Sequence, residues 1–322
     1  MREYGFELAL CADLEADDRV VSRQLGAHVH GRRIVDTVVL EPGPEFDRRA
    51  EITDRTIPGP AVETSVGVGR ARDWREVFPD RRPDRARSLV ERGVEIGFFE
   101  RERRHGTLHV RQTARYPERW FDRLIGIENK PDLDRPGDLK RQLRQDVALG
   151  LFDEVILATE SYVTGAHLNR VPEAVGVWRF DPDIGDREVV REPEPLDPAA
   201  DGTEIIAERP GRTEIRLVDH EQKRRARRRL AERAYGKGWR PTELPGCANC
   251  DPSADSRAVT VPFCTFHDRI VEPAVECGAE CPGYQSAEPP AFDRERERAA
   301  DSAWRPDPDG HQRRQVGLDR FG

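Results

Sequence analysis

Glu7, Asp36, Glu128 and Lys130 are the side-chain types that phosphodiester hydrolysis uses. Ile127-Glu128-Asn129-Lys130 closes an apolar run, and the two-residue period of a strand puts Glu128 and Lys130 on one face. Asp36 lies inside Arg33-Ile-Val-Asp-Thr-Val-Val39, where a carboxylate among Val and Ile is costly unless a cation is nearby. Glu7 edges an apolar helical stripe and can face the same place. Three carboxylates suit Mg²⁺ or Mn²⁺, which bind oxygen ligands and phosphate oxygens together and lower the pKa of a bound water. A lysine beside them can orient that water or offset charge developing on phosphorus oxygens. Only four of the 53 basic residues are lysine, so an amine at residue 130 stands out.

The second chemistry-bearing cluster is Cys247-Ala-Asn-Cys250, then Cys264-Thr-Phe-His267, then Cys277 and Cys281. CxxC followed by CxxH is zinc-finger-like spacing, and a short segment poor in apolar residues gains a staple from a structural Zn²⁺. Four of these six residues would bind. The set Cys247, Cys250, Cys264 and His267 competes with sets that use Cys277 or Cys281 in place of the histidine. A third cluster, Lys223, Arg224, Arg225, Arg227, Arg228 and Arg229, reads as a basic helix that contacts phosphates. Arg101, Arg103, Arg104 and Arg111 could form a further DNA-gripping wing. No Walker-type phosphate loop is present.

The elements that must position these groups follow from periodicity. Phe6, Leu10 and Leu14 predict a helix over 3–16, and the run 34–40 predicts a strand across 28–40, ended by Glu41-Pro-Gly-Pro44. A strand over 123–130, a helix over 138–151 (Leu139, Leu143, Val147, Leu151) and a strand over 154–159 form a crossover unit, which requires a parallel pair. Segments 174–180, 187–190 and 213–218 read as further strands or edges. Between them, 45–118 is arginine-rich and broken by Pro and Gly. It predicts a helix over 85–93 and a hairpin over 98–113, a winged-helix-like unit.

Glu7, Asp36, Glu128-X-Lys130 and Gln142-Leu143 stand in an order that resembles the PD-(D/E)XK nuclease superfamily, in its Holliday-junction-resolvase and RecB-like branches. The resemblance covers about 1–44 and 119–180. It implies an α/β restriction-endonuclease-like core, a mixed central sheet flanked by helices. In it Asp36 and Glu128 would be the Mg²⁺ ligands, Lys130 the residue that positions water, Glu7 an added ligand and Gln142 a support. It also implies DNA cleavage in repair, recombination or defence. The 92 residues between Asp36 and Glu128 depart from a compact member and make 45–118 an insertion, with Glu118 as an alternative acid. The rival expectation is a non-catalytic DNA-binding protein with a zinc-stabilised segment and an inactive core. Some RecB-like nucleases hold an iron–sulfur cluster through one early and three late cysteines. The spacing here departs from theirs, and Cys11 reads as helix core.

The implied organisation is a discontinuous core of 1–44 and 119–218, the insertion, a basic helix over 219–240, a cysteine-rich zinc segment over 241–290 and a mostly irregular tail over 291–322. The 322 residues carry a net charge of −8, with 36% hydrophobic and 35% charged residues. Acid-rich, lysine-poor, arginine-heavy composition suggests a GC-rich halophilic archaeon, where molar salt screens long-range fields and only local basic clusters matter. No apolar run reaches the ~18 residues of a membrane span. The Met-Arg-Glu-Tyr opening predicts no secretory leader. The cysteines are too few for a disulfide scaffold, so the cytoplasm is the expected compartment. A homodimer is compatible with the sequence, which does not set the oligomeric state.

Overall fold

The computed structural model describes residues 3–15, 18–254 and 259–309. The described residues of 1–42 and 122–303 form one compact unit, and those of 43–121 with 304–309 form another.

The first unit is built on a six-stranded mixed sheet whose strands lie side by side in chain order. They are β1 (Val20–Gly26), β2 (Ile34–Pro42), β3 (Phe121–Asn129), β4 (Glu154–Thr159), β5 (Gly176–Asp181) and β6 (Asp186–Arg191). β1 and β2 pair antiparallel, β3–β4 and β4–β5 parallel, and β5–β6 antiparallel. The crossover read from the sequence is therefore present: α2 (Leu139–Leu149) links the parallel strands β3 and β4. Gly150, in the left-handed region at φ 60°, ends α2. Gly126 in β3 admits the Phe152 ring, which a Cβ would meet at 2.7 Å.

α1 (Glu3–Glu15) has nine buried residues, including Phe6, Leu10 and Leu14. They pack with Val21, Val39, Ile125, Ile127, Ile156, Ala158 and Phe180 in one apolar core. Cys11 is fully buried there, as expected of a helix-core residue. By the alternation of a strand, Glu128 stands on the opposite face of β3 from Ile127.

Three elements differ from expectation. β1 has no clean alternation of apolar and polar residues, and periodicity does not predict it. Its pairing with β2 supplies what propensity does not. The 213–218 segment is not an edge of the main sheet. It is β8 (Arg212–Val218), which pairs with β7 (Gly202–Arg209) in a separate two-stranded sheet. The tail carries one unexpected helix, Arg294–Asp301, whose buried Arg298 donates to the carbonyls of Ala234 and Tyr235. Residues 310–322 of that tail lie outside the described residues. The basic helix is α3 (His220–Lys237), within the expected 219–240, and Asp219 and Gln222 close a capping box at its start.

In the second unit, helix Pro83–Glu95 precedes the hairpin Phe99–Arg104/Thr107–Gln112, and Arg72–Asp73 adds a third strand. Arg111 donates twice to Glu100 across the hairpin, and Arg104 pairs with Glu102. Arg101 and Arg103 are the exposed members of the expected wing.

Candidate functional site

Glu7, Asp36 and Glu128 meet at one end of the sheet. Asp36 sits on β2 beside β3, and its Oδ2 accepts from the amide of Asn129 at 2.9 Å, the residue between Glu128 and Lys130. Asn129 Nδ2 also donates to Thr37 Oγ1 at 3.0 Å, which holds the two strand ends in register. Glu7 reaches in from α1. The Gln24 side-chain amide donates to Glu7 Oε1 and Oε2 (3.2 and 3.3 Å) and to Asp36 Oδ1 (3.3 Å). It does so from φ 52°, a left-handed backbone that a glutamine enters only at a cost. Lys237 of α3 donates to the carbonyls of Arg23 and Gln24 (2.7 and 3.0 Å) and so braces that strained pair.

A fourth acid joins the cluster. Asp146, buried on α2, takes Arg33 Nε at 3.0 Å and Nη2 at 2.7 Å, and the same Nη2 donates to Glu128 Oε2 at 2.5 Å. Arg33 comes from the β1–β2 connection. That loop is anchored by the buried Glu204 carboxylate of β7, which accepts from the backbone amides of Val29, His30 and Gly31.

Arg23 Nε donates to Glu7 Oε1 at 2.9 Å, so two guanidiniums, Arg23 and Arg33, stand against four acids. Burial, and then the charge of Asp36, push the Glu128 carboxyl up to about 8 even though Arg33 opposes them. Burial pushes Asp146 up to about 6, again against Arg33. Glu7 is raised by burial, with Arg23 and Gln24 pulling the other way. A buried carboxylate cluster with this deficit suits a hard cation with oxygen ligands. As the side chains stand, no three His, Cys, Asp or Glu among the described residues form a group that could hold a metal ion. In the acid cluster, Gln24 and Arg33 donate into the gaps.

Lys130 follows β3. It is half-buried, with its Nζ 3.9 Å from Glu3 Oε2, one turn of α1 before Glu7. Gln142 does not reach the carboxylates in a hydrogen bond among those of the described residues. It lines a cavity of about 360 Å³ with Arg33, Arg141, Gln145, Asp146 and Glu204. The α2 residue that enters the cluster is Asp146, one turn further on. Sequence reasoning missed Arg23, Gln24, Arg33 and Asp146. Asp146 carried a signal: three residues after Leu143, it falls on the buried face of α2, where an unpaired acid is costly.

The basic helix divides. Lys223 is buried with its Nζ on the Asp197 carbonyl at 2.9 Å. Arg227 is buried on the Leu151 carbonyl and the Asp153 carboxylate at 2.5 and 2.9 Å. These two are structural, which corrects their reading as phosphate contacts. Six charges around a helix that packs on the sheet cannot all face solvent. Arg224 and Arg225 are exposed and share Glu221, and Arg228 and Arg229 are half-buried.

The family model of DUF5787, described as a family of unknown function, matches residues 20–286. The chain belongs to that family. The matched span holds Asp36, Glu128, Lys130, Asp146 and the five late cysteines, and it leaves out α1 with Glu7. No curated protein and no solved structure matches the chain. Among the described residues no helix is long and apolar enough to cross a membrane.

Proposed function

We propose that this protein is a divalent-metal-dependent nuclease of the PD-(D/E)XK type acting on DNA. The six-stranded sheet would be a restriction-endonuclease-like core, with a C-terminal zinc-binding segment appended. The observation that supports this most is the bond from the Asn129 amide to Asp36. It joins two acids 92 residues apart in the chain, Asp36 and Glu128, beside Lys130.

Asp36 and Glu128 would hold Mg²⁺ or Mn²⁺, and Glu7 would contribute through its contact with Gln24. When bound, such an ion acidifies a water and offsets charge on the phosphoryl oxygens. The remaining work belongs to the chain. Lys130 holds an ammonium at the strand exit, where it can orient the attacking water or neutralise a phosphate oxygen. Arg33 would yield Glu128 to the ion, while its two bonds to Asp146 keep it at the site. Exposed Arg224 and Arg225 would bind the DNA backbone.

Incubation of the full chain with plasmid and Mg²⁺ or Mn²⁺ tests the reading. Cleavage that is lost in Lys130→Ala and Asp36→Asn, with DNA binding retained, is the expected result. The second reading, a non-catalytic DNA-binding protein, is favoured by one observation: Gln24 and Arg33 already satisfy the acids internally. Wild-type protein that binds DNA without cutting it would decide for that reading.

A further inference from the structure

The cysteine-rich segment is gathered by its backbone. The Cys250 amide donates to the Cys247 carbonyl at 2.9 Å, which closes a tight turn over Cys247-Ala-Asn-Cys250. Cys250 then forms an isolated antiparallel bridge with Cys264. Cys264 lies in a two-residue strand opposite Arg269, and Arg269 pairs with Glu276, the neighbour of Cys277. The chain thus brings Cys277 back to the Cys250–Cys264 bridge. On the other side, Cys247 bridges Ser286, and the Gln285 amide donates to Cys247 Sγ at 3.5 Å.

Three of these four sulfurs, on Cys247, Cys250 and Cys264, are buried, and all four are free of disulfides. Four converging sulfur donors are the set that a soft divalent cation takes. His267 is engaged elsewhere: its ring packs on Phe266 at 4.9 Å, and its Nε2 lies 3.6 Å from Cys281 Sγ.

We infer that Cys247, Cys250, Cys264 and Cys277 form a four-thiolate structural Zn²⁺ site that staples the 247–286 segment, with His267 and Cys281 outside it. The side chains as they stand do not enclose a metal position. The backbone supplies the convergence, and binding would turn the thiols inward, each losing its proton to solvent as its sulfur–zinc bond forms. Among the described residues the paired strands of the segment are two residues long; Val261 and Ile270 tie it to the apolar core, and the cysteine turns themselves have no such packing to close them. The inference is independent of cleavage.

Metal analysis of the purified full chain should give about one zinc per chain, and Co²⁺ exchanged into it should show the intense thiolate-to-metal bands of tetrahedral sulfur ligation. Cys250→Ser and Cys277→Ser should lose metal, whereas His267→Ala and Cys281→Ser should keep it with unchanged bands. Absence of zinc and of Co²⁺ bands in the wild-type chain overturns the site. Metal lost in His267→Ala, or kept in Cys277→Ser, overturns the ligand set. If the serine variants fail to fold, chelation of the wild-type chain gives the answer. Four thiols should become newly reactive, and fewer would refute the inference.

Discussion

Replacing Glu128 with glutamine should stabilise the protein in alkali and change little in acid. Glu128 is buried, and its carboxyl is pushed from about 4.5 in a free chain to about 8 in the fold. Between those values the folded chain holds a proton that the unfolded chain has released, so stability falls as pH rises. Below about 4.5 both states are protonated, and above about 8 both are ionised and the full penalty stands. Each pH unit in that window costs about 1.4 kcal/mol, which bounds the effect at ~5 kcal/mol. Relaxation around a buried charge reduces this to roughly 2–3 kcal/mol. Glutamine mimics the neutral acid, its carbonyl can accept from Arg33, and its amide can face Asp36. Denaturant unfolding of wild type and Glu128→Gln from pH 5 to pH 9 measures the difference. Coincident curves at pH 5 that part steadily toward pH 9, the variant higher, are expected. A constant offset, or a variant weaker at pH 9, would refute the charge deficit and with it the case for a cation site.

Arg33→Leu should destabilise the chain by about 3–5 kcal/mol at neutral pH, because Glu128 and Asp146 are left buried without their shared partner. Mn²⁺ should recover part of the loss in thermal melts, and no recovery would count against metal at this position. Lys223→Ala should cost about 1–3 kcal/mol with DNA affinity per folded molecule unchanged, since its ammonium bonds the Asp197 carbonyl. Arg224→Ala with Arg225→Ala should do the reverse: unchanged unfolding midpoint, weaker DNA binding and a shallower salt dependence in titrations. Lys237→Met should lower stability by about 1 kcal/mol through the two carbonyls it releases, and loss of cleavage beyond that would show that the Gln24 conformation matters to the site.

Lysine scarcity does not by itself mark chemistry. Of the four lysines, Lys223 and Lys237 bond backbone carbonyls, the first buried and the second exposed. The rarity of lysine at residue 130 is therefore weaker evidence for chemistry than its position after β3.

Residue order alone determined the crossover unit, the apolar stripe of α1 and the strand ends that carry Asp36 and Glu128, because periodicity is a local property of the chain. It also determined the cysteine spacing and the break in character near residues 43–121. Tertiary structure decided the rest. Arg33, Gln24 and Asp146 become site residues only when β1, β2, β3 and α2 are brought together, and no local pattern encodes which distant acid an arginine will meet. Half-burial of the basic helix was likewise settled by packing, since a run of charges does not say which of its members the sheet will cover.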